Sequence, residues 1–371
     1  MADMIVTPAR PNLTPTIWDD DFFEEYIRYN QFARYMGTSM NSMIQVREDL
    51  ERKRGDTVVF PTVRLLAGAG VTGDAILEGN EEVLNARSLK LSVGVIRHAV
   101  AVTDWDEQKS VIDLRNAARD MLMNWSMSKL RADIIGGLGA ITADSSVSYS
   151  YAAATAGQRN TWVTNNADRV LFGASVSNGS SNVMATALAT VDSTNDVMST
   201  TILSLAKRRA KLASPHIRPI RLNNQNDEEW FVCFMPSLVY RDFRKDSTFI
   251  NAEQYALSRG TDNPLFTAGD LIWDGIIIRE IPELPVITAA GTSGIDVAAS
   301  YLCGAQSIGL AYAQRTKSTT NTRDYGFMHG VGIQEIRGVG KLRFGTDAST
   351  DDVAPKDHGI VTVFCAAVAD A

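Results

Sequence analysis

The segment Ser88 to Val102 limits the fold of this chain more than any other. Leu89, Leu91, Val93 and Val95 alternate with polar or small residues, the alternation slips by one, and His98, Val100 and Val102 resume it. That is the period-two pattern of one long strand with a bulge at the slip. Fully extended it would reach about 50 Å at ~3.3 Å per residue, whereas a compact globule of this chain length has a radius of gyration of only about 21 Å. Upstream, Val58, Val59, Phe60, Thr62 and Val63 read as a partner strand, and Pro61 demotes it to an edge or bulged one. The hairpin is as long as the body that carries it. A two-stranded ribbon is marginal alone in water, so this arm must lie on its own body or on another subunit. The simpler alternative is a strand that bends within an ordinary sheet.

Before the hairpin, Pro8, Pro11 and Pro15 make the opening an extended arm. Asp19, Asp20 and Asp21 then place capping carboxylates before Phe22, Phe23, Tyr26, Ile27, Ala33 and Met36, the face of a short helix. After the hairpin, Asp104 and Glu107 have capping-box spacing. Leu114, Ala118, Met121, Trp125, Leu130, Ile134 and Leu138 recur at helical intervals, and Gly136 and Gly137 are expected to end that helix. Ala140 to Thr200, rich in Ser, Thr, Ala, Asn and Gly, reads as a looped insertion with short strands. Further on, a helix is expected near Asp196 to Leu212, a buried strand at Trp230 to Phe234, a helix from Pro236 and Ser237, and a strand at Ile276 to Ile278. Final strands fall near Val331 to Phe344 and Ile360 to Ala366. Without strict βαβ alternation, α+β is favoured.

With 36 basic and 43 acidic side chains the net charge is −7, and hydrophobic residues make up 45% of the 371. This is the make-up of a folded chain, not a disordered or fibrous one. The acidic balance argues against general nucleic-acid affinity, which needs dense Lys and Arg, so any contact with DNA should be weak. No apolar run is long enough for a membrane span or has the form of a signal peptide, which points to a chain retained in the cytoplasm. Cys233, Cys303 and Cys365, odd in number and set among apolar neighbours, suit buried thiols in a reducing compartment.

Chemistry-bearing motifs are few. Gly68, Gly70 and Gly73 spell G-x-G-x-x-G after an expected strand, but a dinucleotide site needs a helix to begin there, and Gly79 and Asn80 interrupt the sequence instead. A flexible hairpin tip explains the glycines better. Gly338, Gly340 and Lys341 likewise fall short of a phosphate loop. His98, His216, His329 and His358 have no partner at metal-ligand spacing, and no G-x-S-x-G nucleophile elbow is present. No cofactor or metal is therefore expected. The remaining signal is charge around the tip: Arg64, then Asp74, Glu78, Glu81 and Glu82, then Arg87 and Lys90. It reads either as a solvated loop or as a rim that sets register between subunits.

The order of parts, from proline-rich arm through charged hairpin and long helix to returning strands, resembles the Hong Kong 97-type major capsid fold of tailed bacteriophages. The run from Asn263, Pro264 and Phe266 to Gly269, then Trp273, Gly275 and Glu280, looks like the signature of the N4-like phage major capsid family. Gly304 with Gln306, Tyr325 with Gly326, and Gly338 with Lys341 fit the same pattern. The resemblance implies an N-terminal arm and short helix over 1–55, an extended E-loop hairpin over 56–102 and a spine helix of the peripheral domain over 103–139. The insertion follows over 140–195, then an axial domain over 196–320 and returning peripheral strands over 321–371. It also implies a non-enzymatic major capsid protein that self-assembles into hexamers and pentamers of an icosahedral shell around double-stranded DNA, read without sequence specificity. The Arg64 to Lys90 charges and tip glycines would be its assembly interface. Portal and scaffolding proteins, and a cementing or decoration protein, would be partners, with the virion as its location and no membrane contact. Two other readings stay open here: an encapsulin-like nanocompartment shell, and an oxidoreductase using the Gly68 motif.

Overall fold

A computed structural model describes residues 32–52, 55–63, 68, 70–74, 76–79, 81, 86–109, 114–143, 147–221, 229–256, 271–345 and 354–368. The proline-rich arm, most of the expected first helix, Arg64, Glu82 and the Asn263 to Gly269 run lie outside these residues. In chain order the strands are β1 (Met36–Gly37), β2 (Ile44–Arg47), β3 (Thr57–Val63), β4 (Ala86–Ser92), β5 (Gly94–Thr103), β6 (Val170–Phe172), β7 (Phe231–Met235) and β8 (Leu271–Trp273). They continue with β9 (Ile276–Glu280), β10 (Val286–Ile287), β11 (Val297–Cys303), β12 (Ile308–Arg323), β13 (Met328–Lys341), β14 (Arg343–Phe344), β15 (Lys356–Asp357) and β16 (Ile360–Ala366). The helices are α1 (Asp49–Arg52), α2 (Asp104–Lys109), α3 (Leu114–Leu138), α4 (Ala156–Asn165), α5 (Met184–Ala189), α6 (Thr200–Leu212), α7 (Ser237–Arg244) and α8 (Ser247–Ala256). The chain divides into two units, each assembled from three separate stretches.

The first unit, Met1–Val58, Leu91–Leu138 and Ile308–Gly340, is built on a five-stranded sheet of order β1-β2-β12-β13-β5. The strand expected over 88–102 is two strands broken at Val93. β5 pairs antiparallel with β13 from Met328↔Thr103 to Arg337↔Gly94, and β4 pairs with β3. The change of partner falls at Val93, ahead of the slip, which lies inside the unbroken β5–β13 register and forms no bulge there, so the free ribbon is shorter than periodicity implied.

α3 has 25 residues, about 38 Å at ~1.5 Å per residue. Its buried stripe runs at every fourth position: Ala118, Leu122, Ser126, Leu130, Ile134 and Leu138. Met121, expected in the core, is 69% exposed. Leu122 packs instead with Val331 and Ile333, with Val100 and Trp125 alongside, and His98 lies 4.6 Å from the Trp125 ring. Gly136 and Gly137 do not end the helix. A Cβ on Gly137 would lie 3.6 Å from Val339, an ordinary contact distance, and one on Gly136 would meet nothing, so their low helix propensity is simply tolerated in the last turn, one residue before the helix ends at Leu138. The cap ahead of α2 is also displaced by one residue. The Thr103 hydroxyl accepts from Asp106 N at 3.2 Å and donates to the Asp106 carboxylate at 2.7 Å.

The second unit comprises Val59–Lys90, Gly139–Ser307 and Lys341–Ala371. Its seven-stranded sheet has the order β6-β16-β11-β7-β9-β8, with β10 beside β11. Every residue of β7, β11 and β16 is buried, as expected of strands covered on both faces. Ile202, Leu203, Ala206 and Ala210 of α6 pack with Phe231, Cys233, Leu302 and Val363 in one core.

The 140–195 stretch is not the expected loop. Thr155 and Gln158 form a reciprocal capping box for α4, Ser175 caps a short 3-10 turn, and β6 pairs in parallel with β16 at Thr362 to Phe364. Its serines and threonines are caps and turn residues, and its apolar cluster completes the sheet.

Candidate assembly surfaces

The hairpin β3–β4 is a two-stranded sheet of its own, closed at its base where Val93 N donates to Asp56 O at 2.9 Å. Val58, Phe60 and Leu89 are buried while Val59 and Lys90 are exposed, so one face of the ribbon is apolar. At its end Gly70, Gly73 and Gly79 all have positive φ, which favours glycine. The residues after Gly73 form turns, not the helix that the dinucleotide reading requires, and that reading fails. Gly68, Asp74, Glu78 and Glu81 are exposed, and the Glu81 carboxylate accepts from Gly79 N at 2.7 Å. Between these carboxylates Ile76 and Leu77 are 72% and 61% exposed. Arg87 sits in β4.

The described signature residues occupy demanding backbone positions. Gly275 (φ 70°) follows Asp274 (φ 48°) in the β8–β9 turn, and Gln306 lies at φ 54° after Gly304. A Cβ on Gly304 would fall 2.4 Å from the Arg218 carbonyl oxygen. Asp324, Tyr325 and Gly326 take positive φ in succession at the β12–β13 turn, which leaves Tyr325 wholly exposed. Trp273 packs near Phe249, and Glu280 ends β9 exposed.

Lys341, read from sequence only as part of a glycine-lysine pattern, is a buried structural cation. Its Nζ lies 2.9 Å from Asp357 Oδ2, the two side chains being 4% and 5% exposed, and 5.5 Å from the Trp162 ring centroid. Sequence reasoning missed two further buried clusters. Arg337 reaches Glu335 at 2.6 Å and Asp133 at 2.8 Å, and Thr316 donates to Glu335 at 3.0 Å. Arg169 donates to the carbonyls of Pro215 and His358 at 2.7 and 3.1 Å, and burial lowers its guanidinium pKa against the opposing pull of Asp168 and Asp357. The Glu–x–Arg alternation of Glu335 and Arg337 along a strand is the signal that could have located the first.

These charges are paired and shut away from solvent, so they hold strands together and offer nothing to a substrate. Cys233, Cys303 and Cys365 are buried, and burial pushes each thiol up, Cys303 to about 12; none is an activated nucleophile. Among the described residues no group of three His, Cys, Asp or Glu could hold a metal ion, and no helix is long and apolar enough to cross a membrane.

Comparisons with known proteins agree with a surface-driven role. The sequence model of the phage capsid proteins matches residues 8–369. The capsid asymmetric unit of cyanophage Pam1 is 32% identical, with a TM-score of 0.82 over 100% of this chain and 97% of that one. The capsid of Ralstonia phage GP4 has the same fold at a TM-score of 0.71, with 23% identity and 92% of each chain covered. The major capsid protein of Pseudomonas phage KPP25 is 28% identical over 376 residues, 96% of each chain. A fold made of locked internal charges and outward-facing turns, matched over nearly its whole length, leads to one conclusion: this chain belongs to the phage capsid protein family, a structural family rather than an enzymatic one, and has the Hong Kong 97-type fold.

Proposed function

We propose that the chain is the major capsid subunit of a tailed double-stranded DNA phage, polymerising into hexamers and pentamers of a closed icosahedral shell around the genome. The observation that carries this reading is the family match over residues 8–369, joined to a hairpin that forms its own two-stranded sheet and ends in exposed carboxylates and apolar side chains. The hairpin acts as the E-loop and rests on a neighbouring copy. The charged residues Arg64, Asp74, Glu78, Glu81, Glu82, Arg87 and Lys90 form the interface, with Gly68, Gly70 and Gly73 giving the hairpin freedom to fit unequal environments. α3 is the spine helix of the peripheral domain, and the seven-stranded sheet is the core of the axial domain. Many modest contacts per subunit add up to a stable shell while each stays weak enough to correct errors. Portal, scaffolding and decoration proteins complete the particle, which is built in the host cytoplasm.

Electron microscopy of the expressed chain, with its scaffold supplied if it does not assemble alone, tests the reading. Closed particles are expected. Deleting Leu66 to Glu82 and closing the strands with a short turn should leave a folded, soluble subunit that makes none. Normal particles from the deleted chain would overturn the hairpin assignment, and a small discrete oligomer under all conditions would overturn the shell itself.

A further inference from the structure

The second unit carries a surface whose charge runs against that of the whole chain. From Val197 to Asn226 the sequence has six cations, Lys207, Arg208, Arg209, Lys211, Arg218 and Arg221, and no Asp or Glu, although the chain has a net charge of −7. The fold uses only part of this run. Lys207 Nζ lies 2.9 Å from the Asp274 carboxylate, and Arg209 donates to the carbonyls of Ala167 and Val170, so both are structural. Arg208 and Lys211, one turn apart on α6, are exposed, as are His216 and Arg218 just beyond the helix. Arg208 and Arg218 form no ion pair among the described residues, and Lys211 only approaches Glu229, at 4.0 Å with both side chains about half exposed. Cations also complement the negative end of a helix, but the last carbonyls of α6 are already engaged: Arg209 O accepts from Ala213 N at 2.9 Å and Ala210 O from Ile217 N at 3.0 Å. The Ile217 bond turns the chain back and sets Arg218 beside the end of α6.

We infer that the surface formed by Arg208, Lys211 and Arg218, with His216 beside them, binds the phosphate backbone of double-stranded DNA and is part of the wall that faces the packaged genome. The inference rests on the proposed shell-forming role and adds an orientation to it: the end of α6 points inward. Phosphate fits these cations better than an acidic protein segment does. Leu212 is the single large apolar side chain exposed between residues 197 and 221, whereas a protein partner anchors on a buried apolar or aromatic centre. The contact reads no sequence, since each cation only neutralises a phosphate. The acidic remainder of the chain keeps it modest. Non-specific contacts of this kind have dissociation constants of about 10⁻⁴ to 10⁻⁶ M, enough where duplex is concentrated inside a shell and weak enough for DNA to slide past as the shell fills.

Fluorescence anisotropy of a labelled duplex of about 20 base pairs, titrated with unassembled subunits between about 50 and 200 mM salt, tests the contact. Arg208→Gln/Lys211→Gln/Arg218→Gln should weaken binding about tenfold or more at the low-salt end and reduce the logarithmic salt slope by about 2 to 3. Lys109→Gln/Lys129→Gln/Lys245→Gln removes as much charge from other exposed positions and should change the affinity by less than about twofold. All six positions are on the surface, and circular dichroism checks that each variant is folded. No binding by the unaltered subunit, or an equal loss in the two variants, would overturn the inference. So would a patch variant that binds the duplex normally but no longer assembles, which would assign the surface to a protein contact. Orientation is read separately on closed particles. Arg218→Cys, tagged with a biotin maleimide, should bind streptavidin only after the particles are opened; capture of intact particles would put this surface outside and overturn the inference whatever the titration gives. If the unaltered chain never closes into particles, it is the shell-forming role that fails, and the titration still decides whether the surface binds DNA.

Discussion

Replacing Lys341 with methionine should destabilise the subunit far more than its position near a strand end suggests. Its ammonium lies 2.9 Å from Asp357 Oδ2 with both side chains almost wholly buried, and at an effective dielectric of about 20 such charges attract by about 6 kcal/mol. Desolvating two ions offsets most of that gain, so the pair itself contributes little net stability. Removing one partner is a different matter, because it leaves the Asp357 carboxylate, 5% exposed, without its ammonium partner. The expected cost of Lys341→Met is about 3–5 kcal/mol. The double variant Lys341→Met/Asp357→Leu removes both charges, and Asp168, 3.8 Å from Arg169, remains to balance the nearby guanidinium. It should lie within about 1 kcal/mol of the unaltered protein or above it. Urea unfolding of unassembled subunits, followed by tryptophan fluorescence, reads the difference as a midpoint lower by about 1–2 M for the single variant. A single variant within about 1 kcal/mol of the parent, or a double variant as unstable as the single, would refute the reasoning.

Asp246 gives a pH prediction. Burial pushes its carboxyl up, but hydrogen bonds from Thr200 and Thr248 outweigh this and hold it below the ordinary value. Its stabilisation is therefore present above the unfolded carboxylate pKa and lost as pH falls through the lower folded one. Asp246→Asn should flatten the acid limb of a stability profile, since the amide does not titrate; an unchanged limb would contradict this. The three thiols should resist a disulfide reagent in the native subunit and titrate fully only in denaturant, since all are buried and burial pushes their pKa values up; a thiol that reacts at the rate of a free cysteine would show the core is open. Gly338→Ala would place a Cβ 2.3 Å from Ser92 O, and should cost about 1–3 kcal/mol with faster hydrogen exchange around Ser92 to Gly94. Exchange unchanged there would mean the close approach of β13 is not required.

Much of the architecture was legible because local signals were strong. The apolar run Phe231–Met235 and the nearly apolar Ile360–Ala366, β-branched but for its C-terminal end, read as buried strands, and they are. α6 starts just after the Ser199 cap, within the span expected for it. The buried state of all three cysteines also followed from their neighbours. Ala140 to Thr200 read as loop because propensity was judged without the sheet edge those residues complete.

Sequence by itself determined which segments alternate, which are apolar throughout, where glycine must bend the chain and that the hairpin tip is acidic. Those properties depend on neighbours only a few residues away. Tertiary structure alone decided that the 88–102 alternation is shared between two sheets, that Lys341 and Arg337 are interior charges, and that Arg97 and Arg323 line one groove that has no Asp or Glu. The reason is geometric. Strand period says which residues lie on the same face of one strand, but the pairing of β5 with β13 and of β13 with β12 brings together residues more than two hundred positions apart, and their combined charge exists only once that register is set.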